Sequence, residues 1–167
     1  MLNELKKHLD GEIFQVDTYY VKSAPCYDCR HCWTNAECII QDEMQDAYQA
    51  MDEADNVVIA SPIYFGNLTG SLLHWASRLQ FFWAARNIRK VQPISAKHRK
   101  GVVILIVNGG EKPYGAAIFA GKDLLKQTAA ECCEIVHWTN DDGANEPSPA
   151  QLNMEKIVKL AETLNTR

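Results

Sequence analysis

The sequence predicts a doubly wound α/β fold, a parallel sheet with helices on both faces, from three observations. Two aliphatic, β-branched runs, Asn56–Ala60 and Val102–Val107, have the composition of strands covered on both sides. Each run ends in turn chemistry, Ser61-Pro62 after the first and Asn108-Gly109-Gly110 after the second. Helical patterns alternate with the strands, an order that calls for right-handed crossovers and parallel pairing.

Taken in order, Leu2, Leu5 and Leu9 follow a helical spacing that stops at Gly11, and Glu12–Val16 reads as the next strand. In Asp42–Glu53 the apolar positions Met44, Ala47, Tyr48 and Met51 mark a surface helix with acids in its first turn. The stretch Thr69–Ala84 carries Leu72, Trp75, Ala76, Leu79, Phe82 and Trp83, supplemented by Leu73 and Phe81. That arc is wider than one core face requires, so a homodimer or higher homo-oligomer through this helix is expected. Gly115–Ala130 is a further helix, Glu134–Trp138 a strand, and Pro149–Leu164 a last helix with Ser148 as N-cap and Pro149 at its first position. Cys132 and Cys133 flank that last strand and are read as small core residues.

Size and charge restrict the function. A chain of 167 residues suits one domain spanning the whole sequence. With 17 Lys and Arg against 21 Asp and Glu, a net charge of −4 and 47% hydrophobic residues, it is neither a disordered chain nor one built to bind a nucleic acid backbone. The longest aliphatic run, Val102–Val107, is far short of a membrane span, and Met1–Lys7 lacks the pattern of a secretory signal. A cytoplasmic protein without a membrane partner is expected. In that reducing setting clustered cysteines point to metal or redox chemistry before disulfides.

In sheets of this kind ligands sit beyond the carboxyl ends of the strands near a topological switch point. That rule selects the loops at 61–67 and 108–115. In the first, Pro62 restricts the backbone, Gly66 and Gly70 allow close bends, and Tyr64 and Phe65 offer aromatic faces or core filling. Upstream, Cys26, Cys29, Cys32 and Cys38 give a Cys-x2-Cys-x2-Cys-x5-Cys spacing. Its first two gaps match cluster-binding ferredoxin loops, which makes an iron-sulfur cluster the first candidate, zinc the second, and free thiols the plain alternative.

Two segments carry a resemblance. Ser61-Pro62-Ile63-Tyr64, then Leu68-Thr69-Gly70-Ser71-Leu72 and Arg78-Leu79, resemble the flavin-contacting segment of the NADPH-dependent FMN reductases of flavodoxin-like fold. Pro25-Cys26-Tyr27-Asp28-Cys29-Arg30-His31-Cys32-Trp33 and Cys38–Met44 resemble the cysteine segment of their iron-sulfur flavoprotein branch. The resemblance implies that Ser61, Pro62, Ile63, Tyr64, Phe65, Gly66 and Asn67 cradle the isoalloxazine ring of FMN and that Asn108, Gly109 and Gly110 approach its pyrimidine edge. It implies NAD(P)H as co-substrate, a small-molecule electron acceptor, and no general base, because the flavin carries the chemistry.

The chain departs from the family pattern at Leu73, where a lysine is usual, and at Ser77, where an aspartate usually precedes Arg78. It also lacks the Ser/Thr/Asn-rich turn that binds the FMN phosphate after the first strand. In flavodoxin order Glu12–Val16 is the second strand, so an N-terminally truncated fold without phosphate loop, and weak FMN binding, are expected. The alternative is a cofactor-poor or non-catalytic domain acting through assembly. Arg86, Arg89, Lys90, Lys97, Arg99 and Lys100, with His98, read as a solvated face, or as a partner for NADPH phosphates. His31 is read as a surface residue or substitute ligand, His74 and His137 as locally bonded, and Tyr114 as a helix-start or ring-closing residue.

Overall fold

The computed structural model describes residues 2–108, 114–140 and 149–166. Strands β1 (Asn56–Tyr64), β2 (Asn67–Leu68), β3 (Arg99–Asn108) and β4 (Ala130–Asn140) form one sheet in the order β2-β1-β3-β4. β1 and β3 are parallel, as are β3 and β4, while β2 folds back antiparallel on β1. The helices are α1 (Leu2–Lys7), α2 (His31–Thr34), α3 (Met44–Glu53), α4 (Gly70–Ala76), α5 (Gln80–Asn87), α6 (Gly115–Gln127) and α7 (Pro149–Asn165), with a 3-10 turn at Ser77–Leu79 joining α4 to α5.

The strand alternation sorts side chains to two faces. Val102, Ile104 and Val136 pack against Leu5 of α1 and Ile157, Leu160, Ala161 and Leu164 of α7. Val103 and Leu105 pack on the other side with Leu72 of α4 and Ala117 and Leu125 of α6. Helices on both faces of a largely parallel sheet are the doubly wound arrangement the sequence predicts. A third cluster joins Met44, Ala47, Tyr48 and Met51 of α3 to Ala76, Leu79 and Phe82 of the α4–α5 segment. Helix α6 lies close to β3 because Gly121 has no side chain; a Cβ there would stand 2.8 Å from Val103 Cγ1.

Three expectations need correction. Glu12–Val16 forms no strand, and Ile13 and Phe14 are 42% and 57% exposed. A strand exists through its partner, and among the described residues β1 pairs only with β3 and the short β2, so no strand pairs with the 12–16 segment. Ser61-Pro62 does not end the first strand: β1 runs on to Tyr64, with Pro62 paired to Ile106. Proline is tolerated because the other edge of β1 is unpaired over 56–62 among the described residues, and the half-buried Val57–Ala60 lie along that edge. Cys133 is exposed where Cys132 is half-buried. Gly101 pairs with Cys132 and Val102 with Glu134, so Cys133 is the extra residue of a β-bulge.

Candidate functional site

The parallel register brings the ends of β1 and β3 to one rim. The last pair is Pro62 with Ile106, and two residues further on both strands end, at Tyr64 and Asn108. β4 ends level with them, since Asn140 pairs with Asn108. Gly109 and Gly110 lie outside the described residues, and Asn108 is described here by its backbone alone.

The β1–β2 connection is a two-residue hairpin. Tyr64 pairs with Asn67, and Phe65 and Gly66 between them have φ of 53° and 78°. Positive φ at both positions is the turn that suits the twist of paired strands, and glycine adopts it freely while phenylalanine does so under strain. Phe65 is fully exposed and Tyr64 more than half exposed, so a strained turn projects two aromatic rings at the rim. The rest of the segment is occupied with holding it. Ser61 is 1% exposed; its Oγ accepts from Thr69 N at 3.1 Å and donates to Pro62 O at 2.7 Å. Asn67 Oδ1 accepts from its own neighbour Leu68 N at 2.8 Å, and Ile63 packs on the core. Thr69 caps α4 by accepting from Leu72 N, so hairpin and helix are one continuous unit. Gly70 simply opens that helix. Tyr114, which precedes α6, has its ring 6.1 Å from that of His137.

The second region is the cysteine loop. Cys26, Cys29, Cys32 and Cys38 all line one pocket of about 440 Å³, with Tyr27, Trp33, Phe81 and Trp83 among its walls. His31 is not among the lining residues. All six cysteines are free thiols. Burial pushes the Cys32 thiol up, and the neighbouring thiols of Cys38, Cys26 and Cys29 add to the shift. Four thiols lining one pocket are in kind the donor set of a soft centre, although among the described residues no three potential ligands already stand close enough to hold a metal ion. The backbone reverses at Asp28 and Arg30, with φ of 54° and 61°, which gathers the thiols on a short loop.

Side chains from α4 to just beyond α5 hold this loop, and most of them carry no signal in the residue pattern. Ser77 Oγ accepts from Cys26 N at 2.9 Å, His74 Nε2 lies 3.2 Å from Ser23 O, a long-range contact where a local bond is expected, and Arg89 Nε donates to Cys32 O at 3.1 Å. Arg78, 1% exposed, pairs with Asp42 at 2.7 Å. The aspartate missing before Arg78 in the chain is thus replaced in space by one that begins the turn into α3. Burial raises the Asp42 carboxyl, but the amide of Ala24, the Arg78 guanidinium and the amide of Met44 outweigh it and hold the group below its usual range.

The basic stretch is divided: Lys90, Lys97 and His98 are exposed, as a solvated face requires, while Arg86, Arg99 and Lys100 are bonded to carbonyls of the fold. Arg99 is buried and donates to Ala54 O, Ser95 O and Asp52 O. Arg86 donates to Gln127 O at 3.0 Å, and Lys100 to Thr163 O at 2.8 Å. A basic residue bonded to carbonyls that end helices and turns has few donors left for a ligand.

Known proteins resemble this chain in sequence and in fold. The profile of the NADPH-dependent FMN reductase family matches residues 1–129. The chain is 36% identical over 62 residues to an iron-sulfur flavoprotein of Methanosarcina thermophila, covering 35% of this chain and 32% of that protein. To an iron-sulfur flavoprotein of Methanocaldococcus jannaschii it is 33% identical over 94 residues, covering 56% of this chain and 43% of that one. The matches therefore span less than half the length of those relatives. Among solved structures, an FMN-dependent NADH-azoreductase from Bacillus anthracis in complex with FMN superposes with a TM-score of 0.59 at 14% identity, covering 99% of this chain and 88% of that one. Smu.1420 from Streptococcus mutans gives 0.60 at 15% identity, covering 97% and 89%. At such identities the structural likeness speaks for the fold. With a flavodoxin-like sheet, an aromatic hairpin at its carboxyl rim and a matching profile over most of its length, the chain belongs to the NADPH-dependent FMN reductase family.

Proposed function

We propose that this chain carries the flavin-binding rim of an NAD(P)H-dependent FMN oxidoreductase that passes reducing equivalents to a small acceptor. The observation that supports it most is the hairpin at Tyr64–Asn67, where a strained left-handed Phe65 projects its ring into solvent at the end of the sheet. An aromatic held against conformational preference and away from the core serves a ligand better than it serves stability. Tyr64 and Phe65 would lie against the isoalloxazine ring, and Gly66 keeps the turn low enough for its approach. Ser61 and Thr69 act behind them, fixing the hairpin to α4. Asn108, Gly109 and Gly110 would meet the pyrimidine edge from the neighbouring strand end. FMN, when bound, supplies the two-electron chemistry, so the protein's task is to position nicotinamide and flavin and to exclude competing reactions.

The thiols of Cys26, Cys29, Cys32 and Cys38 fit an iron-sulfur cluster in kind and number, and the proposal includes one as a relay toward the acceptor. Closing the pocket around it requires the thiols to lose their protons and draw together. Leu73 and Trp83 remain partly exposed on the α4–α5 segment and favour assembly of a homodimer or higher homo-oligomer there. No helix among the described residues is long and apolar enough to cross a membrane.

The second reading is a cofactor-poor domain acting through assembly; among the described residues the edge of β1 away from β3 is unpaired over 56–62, short of the hairpin with β2. Titrating FMN into the 167-residue chain while following flavin fluorescence and NADPH oxidation separates the two. Weak, saturable binding with FMN-dependent NADPH oxidation is expected. Absence of both at millimolar FMN would leave the assembly reading in place.

A further inference from the structure

We infer that Arg78 is the positioning residue of the cysteine loop: its buried guanidinium ties the chain before Cys26 to the chain after Cys38 and so keeps the four thiols around one pocket. The inference deepens, and rests on, the reading of those thiols as ligands of a soft centre. Arg78 Nη1 donates to Ala24 O at 3.1 Å and to Asp42 Oδ2 at 2.7 Å, while Nη2 donates to Ile40 O at 2.9 Å. Ala24 and Ile40 bracket the thiols on both sides. Asp42 closes the same ring from below, its Oδ2 also accepting from Ala24 N at 2.9 Å and its Oδ1 from Met44 N at 3.1 Å. Tyr48 OH donates to Arg78 O at 2.8 Å and fixes the backbone from which the guanidinium projects.

The loop between these anchors has one short helix, α2, and side chains that are mostly exposed, so it has little core of its own to define its shape. Fixing both ends with one rigid group lowers the entropy cost of gathering the thiols. A planar fork that meets two carbonyls and a carboxylate at once is a task for arginine, which lysine performs only in part. Arg78 itself lines the thiol pocket, and its Nε is buried without a hydrogen-bond partner. Ser77 Oγ on Cys26 N is a lesser anchor of the same kind.

The test uses the full chain, reduced, in a Cys132→Ser/Cys133→Ser background, with Arg78→Met, Arg78→Lys and Ser77→Ala compared by thermal unfolding, by cadmium titration of thiolate absorbance, and by dibromobimane, which fluoresces when it bridges two thiols. Arg78→Met should weaken cadmium binding about tenfold or more and cut bridging several-fold, with Arg78→Lys recovering part of both and Ser77→Ala losing less. A folded Arg78→Met protein with parental affinity and bridging would overturn the inference. Should Arg78→Met fail to fold, parental values in both Arg78→Lys and Ser77→Ala would overturn it, and graded losses would support it. If the parent protein takes up neither cadmium nor iron, the ligand reading of the thiols fails, while the bridging yields still decide whether Arg78 holds the loop.

Discussion

The aromatic hairpin and the cysteine loop are fastened to successive stretches of the same helical segment, yet they are held by opposite means. The hairpin is self-contained: a two-residue turn, a hydroxyl bonded eight residues along the chain from Ser61 to Thr69, and a helix cap. Its rigidity is local. The cysteine loop is held from outside by His74, Ser77, Arg78 and Arg89, the Arg78 bonds reaching back across 54 and 38 residues. Under the proposed function, the local fastening would offer a planar ring a preformed ledge and the distant one would leave the thiol loop room to close around a centre.

The comparison is broken most severely at Arg78. Replacing it with methionine removes the ionic partner of the largely buried Asp42 carboxylate, leaving it two backbone amides, and should cost about 3 kcal/mol in urea unfolding, with little change in the hairpin. A loss no larger than that of a surface substitution would show that the loop does not depend on the pair. Acid sharpens the same point. The folded pKa of Asp42 lies below its ordinary value, so its contribution is complete above about pH 4 and disappears as pH falls through the folded value. The parent should therefore lose stability between neutral pH and about pH 2 more steeply than Asp42→Asn, followed by thermal unfolding.

On the hairpin side the effects are smaller and differ in sign. Ser61→Ala removes the acceptor from the buried Thr69 amide and should destabilise by about 1–2 kcal/mol, leaving cadmium binding by the thiols unchanged. Phe65→Gly should do the reverse, raising the stability of the ligand-free chain by up to about 1 kcal/mol through relief of the left-handed strain while weakening FMN.

Much of this architecture is legible in the residue pattern, and what is not has identifiable causes. Asn56–Ala60 and Val102–Val107 announce buried strands because both of their faces are covered, and Met44, Ala47, Tyr48 and Met51 announce α3 because they alone on that helix face a core. Glu12–Val16 has the composition of a strand, but pairing depends on a neighbour that composition does not report. Pro62 looks like a terminator until one sees that it lies where β1 has a free edge. Of the hairpin only the bend at Gly66 is legible; the left-handed Phe65 and the run of β1 through Pro62 are not, because phenylalanine has no turn signature. Nor is the clamp: no spacing rule links Ala24, Ile40 and Asp42 to Arg78, and Ser77 registers in the sequence only as a missing aspartate. Arg89 and Arg99 look like surface charge because their carbonyl partners have no signature of their own.

If the turn at Phe65-Gly66 serves a planar redox ring, parallel flavin-fluorescence titrations of the parent chain and Phe65→Gly, with urea unfolding of each, will show a glycine variant at least as stable that binds FMN several-fold more weakly. Equal FMN affinity in the two proteins would contradict that role.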